Sequence, residues 1–120
     1  MTANRSFAAD PDEIARARRF VADELDGRSA NVVDTAVLLV SELATNAVRH
    51  VGSAFTVVVD ASLSAVRISV SDAGGGTPRA RPLDVGSLDG RGLHIVGSLA
   101  NEWGVEPAGT GKTVWFTLAA

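Results

Sequence analysis

From Val32 to His50 the apolar residues Val33, Val37, Val40, Leu43, Ala44, Ala47 and Val48 recur at helical spacing. This is the longest and most strongly patterned segment of the chain, and a helix with such a stripe must be covered by another layer. The rest of the chain therefore has to supply a sheet or further helices to pack against it. Ser29 or Asn31 marks its start and Gly52 its end. An earlier helix opens at Asp10-Pro11-Asp12-Glu13, with Asp10 as N-cap, Pro11 at the first helical position and acids in the first turn. It runs to about Leu25 and stops at Asp26-Gly27. Ile14, Ala17, Phe20, Val21 and Leu25 form its stripe, with Arg16 and Arg19 off it.

Beyond Gly52 the period changes to two. Phe55, Val57 and Val59 alternate in a strand over 54–60, and Val66, Ile68 and Val70 in a second over 65–71, with Asp60–Ser64 as the hairpin loop. Residues 72–91 lose periodicity and gather Gly, Pro, Arg and Asp, as functional loops do. Gly92 to about Ala100 reads as a short helix with Leu93, Val96 and either Leu99 or Ala100 inward. Glu102–Val105 reads as a strand, Pro107–Gly111 as a turn and Lys112–Leu118 as a final strand. In that strand Val114, Phe116 and Leu118 face one way and Thr113, Trp115 and Thr117 the other. Residues 1–9 are a loose arm or a short edge strand. Helices grouped apart from strands predict an α+β fold, a two-layer sandwich with helices on one face of a mixed, largely antiparallel sheet.

At 120 residues the chain is a single domain with room for one core, and 46% apolar against 21% charged residues is globular composition. It has no cysteine, which excludes disulfides, thiol catalysis and cysteine-held metal, and two histidines (His50 and His94) make a histidine-rich metal site a poor expectation. A net charge of -3 argues against non-specific nucleic-acid binding as the main task. No signal peptide is visible, and the longest unbroken apolar run, Ala36–Val40, is far short of a membrane span. The expectation is a cytoplasmic protein.

Two nucleotide motifs fail on inspection. Gly109-Thr110-Gly111-Lys112-Thr113 ends like a P-loop, but the earlier glycine that motif needs is Glu106, and a strand rather than a helix follows. After Gly90 and Gly92, the third Rossmann glycine would fall at Ile95.

Three other places carry chemistry. Glu42 and Asn46 lie one turn apart on the long helix, with Arg49 and His50 a turn further. The plain alternative is a solvated helix face. An amide oxygen suits Mg²⁺, and a carboxylate one turn away can take a proton or hold a metal-bound water. Asp72 closes the second strand before Gly74, Gly75 and Gly76, either as an ordinary turn or as an acceptor for an amino group with backbone brought close to a ligand. Gly90-Arg91-Gly92-Leu93 opens a helix whose amides can hold an anion. Arg79 and Arg81 read best as solvated.

In order and spacing these segments resemble the GHKL superfamily (Bergerat fold), most closely the anti-sigma-factor serine/threonine kinases. Glu42, Asn46 and His50 in SELATNAVRH resemble the N box. Asp72 to Gly76 resembles the DxGxG box, Gly90 to Leu93 the glycine box after an ATP lid at 76–91, and Gly109 to Thr113 the closing G/T box. The resemblance spans roughly residues 10–118. It implies that Asn46 binds Mg²⁺, Glu42 is the general base, and Asp72 binds the adenine amino group with Thr113 assisting through water. It places Gly74 and Gly76 under the base, His50 at the nucleotide, and Gly90, Arg91, Gly92 and Leu93 along the phosphates. Arg16, on the first helix, falls where such kinases contact their partner, or is simply a solvated arginine.

The implied function is an Mg-ATP-binding anti-sigma factor that phosphorylates an anti-sigma-factor antagonist and sequesters a sigma factor. It implies no direct nucleic-acid or membrane partner, with a homodimer as one option. The alternative is a non-catalytic switch in which ATP shapes a partner-binding surface. A histidine-kinase catalytic domain is disfavoured because no phosphoacceptor helices accompany it.

Overall fold

The computed structural model describes residues 1–74 and 90–119, with the backbone alone for 90–94. The chain runs β1 (Thr2–Phe7), α1 (Pro11–Glu24), α2 (Ala30–Thr45), a π-helical turn (Asn46–Val51), β2 (Phe55–Ala61), β3 (Ala65–Asp72), α3 (Gly90–Leu99), β4 (Glu102–Ala108) and β5 (Gly111–Ala119). The strands form one sheet in the order β1-β2-β3-β5-β4. The fold is α+β, with α1, α2 and α3 packed on one side of the sheet.

Every strand pairing among the described residues is antiparallel, so the expected mixed sheet is corrected here. The reason is local. β4 and β5 are joined by the tight Gly109-Thr110 turn, and the hairpin inserts β5 beside β3 running against it. The turn is shorter than expected, because pairing continues through Pro107 with Lys112 and Ala108 with Gly111. Pro107 is tolerated because β4 is an edge strand. At the other edge, residues 2–7 settle the choice between arm and strand by pairing with β2 from Thr2 opposite Asp60 to Phe7 opposite Phe55.

The helix signals act as read. The Asp10 carboxylate accepts from the Asp12 amide at 2.9 Å, and Ser29 Oγ accepts from the Val32 amide at 3.3 Å. Ala17, Phe20, Val21 and Leu25 are buried. The phase of α2 is a correction. Its buried face is Val32, Ala36, Leu39, Val40, Leu43 and Ala44, whereas Val33 and Val37 are partly buried and Leu38 is exposed. Asn31, Asp34 and Thr35 mark the outward side of this half, Leu38 shares that side, and the stripe through Val33 and Val37 is rotated to the edge of the true inward face. In α3 Val96 is fully buried and Ala100 rather than Leu99 faces the core.

The Ala30–Val51 helix is also 22 residues long, with mean hydropathy 1.2 over its most apolar window, which is long and apolar enough to cross a membrane by those measures. The absence of an unbroken apolar run hid this. Half of that window is buried within the domain, where its apolar side chains form the core.

Inward from the sheet come Phe55, Val57 and Val59 of β2, Val66, Ile68 and Val70 of β3, and Val114, Phe116 and Leu118 of β5. Val114 stands opposite Val70 and Phe116 opposite Ile68, so the apolar set stays in register across the central strands. On the far face the Arg67 guanidinium lies 4.5 Å over the Trp115 ring.

Candidate functional site

The end of β3 meets the β4–β5 turn and the C-terminal end of the long helix. Asp72 occupies the inward face of β3, two residues past Val70, and is 9% exposed. Its Oδ1 accepts from the Gly74 amide at 3.0 Å, an Asx-turn that folds the chain back after the strand. Its Oδ2 accepts from Lys112 Nζ at 2.7 Å. Both partners of this ion pair are largely shielded, with the Asp72 side chain 6% and the Lys112 side chain 13% exposed.

Two glycines bring the turns into contact. Gly74 has φ +82°, and a Cβ there would overlap the Thr110 carbonyl. A Cβ on Gly111 would overlap the Asp72 carbonyl and crowd the Gly74 amide. Thr110 Oγ1 donates to the Ala73 carbonyl at 2.6 Å across the same junction. The Gly109–Thr113 segment is thus a hairpin turn and strand pressed on the Asp72 turn, not a P-loop.

Ser53 ties in the helix. Its amide donates to the Ala47 carbonyl at 3.0 Å, closing the π turn, and its Oγ accepts from the Ala73 amide at 2.8 Å. The same Oγ donates to the Ala54 carbonyl. Gly52 adopts the left-handed conformation (φ 72°, ψ 32°) that ends the helix. Ser53 is buried, and it connects the segment that begins at Asn46 with the segment that carries Asp72. Sequence reasoning missed it. The signal available was a serine directly after a C-capping glycine.

The polar residues of the helix are not equivalent. Asn46 is 6% exposed and opens the π turn, its backbone N–H shared between the Glu42 and Leu43 carbonyls. π turns inside longer helices are frequent at functional sites. Glu42 is half-buried, and Arg49 and His50 are exposed. α2 packs on β3, β5 and α3, and a tie between the C-terminal end of the long helix and the Asp72 turn runs through Ser53.

Thr113 sits elsewhere. It alternates with Lys112 on β5 and pairs with Ser71, their hydroxyls 2.7 Å apart on the outer face of the sheet. The residue that β5 brings to Asp72 is therefore Lys112. Gly76, Arg79 and Arg81 lie outside the described residues, as do residues 76–89 of the expected 76–91 lid. Gly90 begins α3 two residues earlier than expected, and Gly92 lies in its first turn. The side chains of Arg91, Leu93 and His94 lie outside the described residues.

Arg16 is apart from this site. It lies on the exposed side of α1, with Nη1 3.1 Å from Glu13 Oε2 and a side chain 68% exposed. It borders a pocket of about 350 Å³ with Arg5, Phe7, Arg19, Phe20 and Asp23, where the Arg5 guanidinium lies 5.2 Å over the Phe20 ring.

No three His, Asp or Glu side chains cluster as a metal site among the described residues. The shielded Asp72 carboxylate stands on a turn packed so closely on the β4–β5 turn that a Cβ at Gly74 or Gly111 would overlap backbone atoms.

The family described as Histidine kinase-like ATPase domain matches residues 7–118. A crystal structure of the RsbU and RsbW domains of Rv1364c from Mycobacterium tuberculosis is similar, with a TM-score of 0.75 and 20% sequence identity. That match covers 98% of this chain and 32% of the other, so the chain spans about a third of its length. At this identity the likeness speaks to the fold. No curated protein matches the chain in sequence.

Proposed function

Because the chain belongs to the histidine kinase-like ATPase domain family, we propose that it binds Mg-ATP and acts as an anti-sigma serine/threonine kinase in the cytoplasm. It phosphorylates an anti-sigma-factor antagonist and sequesters a sigma factor. The observation that carries the nucleotide half of this reading is the Asp72 turn, a shielded carboxylate fixed by the Gly74 amide and wedged against Gly111. An ionised carboxylate has about four lone-pair sites, and two protein donors leave capacity for an amino group.

Asp72 accepts from the amino group of adenine, Gly74 holds the Asp72 turn against Thr110, and Gly76 leaves room for the ring. Gly90, Arg91, Gly92 and Leu93 line the phosphates at the start of α3, where helix amides favour anions. His50 lies at the end of the π turn and serves the nucleotide from its exposed position.

The amide oxygen of Asn46 is the protein's ligand for Mg²⁺, which when bound supplies positive charge to the phosphates. Glu42, half-buried one turn before Asn46, takes the proton of the attacking serine or threonine hydroxyl as its oxygen bonds to phosphorus and the bond to ADP breaks. Such transfer depends on position and charge more than on covalent chemistry. Arg16 and its neighbours on α1 face the sigma factor.

The test is incubation of the chain with labelled ATP and Mg²⁺ beside candidate antagonists from the same source. Label on an antagonist serine or threonine is the expected result. ATP-dependent partner binding with no label on any antagonist refutes the kinase reading and favours a non-catalytic switch.

A further inference from the structure

Lys112 has no task in the proposed function, yet it is the side chain that β5 delivers to Asp72. The pairing follows from the fold. Lys112 shares the inward face of β5 with Val114, Phe116 and Leu118, and Gly111 lets that strand press against the Asp72 backbone. The ammonium lies 2.7 Å from Oδ2. A lysine ammonium has three N–H donors. Among the described residues Nζ makes no other hydrogen bond, and the Asp72 carboxylate accepts one more, from the Gly74 amide at 3.0 Å.

Spare donors therefore stand directly beside spare acceptor sites, on side chains 13% and 6% exposed. Unmet donors and acceptors are costly in such a place. A ligand edge that satisfies both must carry an N–H donor next to an acceptor. Adenine has this pattern, with its 6-amino group adjacent to ring-nitrogen acceptors.

We propose that Lys112 is a specificity-determining residue that forms, with Asp72, a donor–acceptor couple reading the amino edge of adenine. Asp72 accepts from the amino N–H while Lys112 donates to a ring nitrogen beside it. The inference rests on the reading of Asp72 as the adenine-binding carboxylate and adds a second contact of opposite polarity. The couple also sets what is rejected. A 6-oxo purine turns the amino donor into a carbonyl oxygen facing the carboxylate, and sites built on polar contacts discriminate strongly against such mismatches.

The test is calorimetric titration of the full chain with ATP, 1-deaza-ATP, 7-deaza-ATP and inosine triphosphate in Mg²⁺, for wild type and Lys112→Met. The deaza analogues remove one ring nitrogen each and keep the amino group. A hydrogen bond to a charged donor corresponds to on the order of tenfold in affinity. Wild type is expected to bind one of the deaza analogues about tenfold more weakly than ATP, and inosine triphosphate more weakly still. Lys112→Met is expected to bind ATP and that same analogue within about twofold of each other, which a merely structural lysine would not produce.

Circular dichroism and thermal melting establish whether Lys112→Met is folded, and the wild-type comparison stands without any variant. Wild type that binds ATP and both deaza analogues equally overturns the role of Lys112 while leaving the nucleotide reading intact. A folded Lys112→Met that keeps the wild-type discrimination does the same. Wild type that binds no ATP overturns the nucleotide reading itself and this inference with it.

Discussion

Gly111→Ala tests the site's architecture without reference to any ligand. Gly111 is not among the glycines with positive φ, so an added methyl brings no backbone strain of its own. What it brings is overlap with the Asp72 carbonyl and contact with the Gly74 amide at 2.7 Å, both backbone atoms with little freedom to yield. Overpacking of this kind costs typically 1–3 kcal/mol, and here relief requires β5 to withdraw from the end of β3. We expect a loss of about 3 kcal/mol, a fall in Tm of roughly 10 °C for a domain of this size.

Gly109→Ala is the control. Gly109 has φ +60° with nothing within 4 Å, so it carries only the left-handed penalty of about 1 kcal/mol. Gly74→Ala combines both costs and is expected to exceed either. The assay is urea unfolding followed by circular dichroism, with equal m-values confirming that the states compared are the same. If Gly111→Ala is no worse than Gly109→Ala, the two turns are not in contact and the site as described is wrong.

Three further predictions concern the site. Ser53→Ala removes the acceptor of the Ala73 amide and should destabilise by about 1–3 kcal/mol; equal unfolding midpoints would show that the helix and the Asp72 turn are not joined through it. Asp72→Asn presents an amide that can turn an NH₂ donor toward the adenine amino group, and should weaken ATP binding at least about tenfold by calorimetry; unchanged affinity would remove Asp72 from the nucleotide site. Glu42→Gln should leave ATP affinity within about threefold while cutting phosphoryl transfer by roughly 10²-fold or more, whereas Asn46→Ala should lose Mg²⁺-dependent affinity and transfer together. Transfer by Glu42→Gln at the wild-type rate would dismiss Glu42 as the base.

The elements were legible in the sequence because their signals are local. Asp10-Pro11 and Ser29 cap the helices they were expected to cap, and the alternation of Val66, Ile68 and Val70 gives the inward face of β3. At the start of α2 the apolar residues alone mislead about phase. Asn31, Asp34 and Thr35 mark the outward side and Leu38 shares it, so Ala36 and Leu39 go in while Leu38 stays out and Val33 and Val37 lie at the edge. The change from α to π geometry at Asn46 carries no compositional mark. It is closed by the Ser53 amide from beyond the helix.

The site was legible by residue type and illegible by partnership. Asp72 stands out by its place before three glycines, but its ion-pair partner Lys112 lies 40 residues away, and the Ser53 hydroxyl that holds the adjacent Ala73 amide lies 20 residues from it. Nothing in the local string ties these together. The insertion of β5 between β3 and β4 brings Lys112 and the pairing of β2 with β3 brings Ser53, and strand order is a non-local property. The same insertion explains why the Gly109–Thr113 string misleads. Read alone, its glycines suggest a loop that wraps phosphate. In the fold they let one backbone touch another, and Lys112 turns inward to a carboxylate because it shares a strand face with Val114. Thr113, one residue on, must then face outward, since successive side chains on a strand point to opposite sides. A one-residue shift in the β3–β5 register would exchange the two, so the pairing of Val70 with Val114 across the core places a lysine at Asp72.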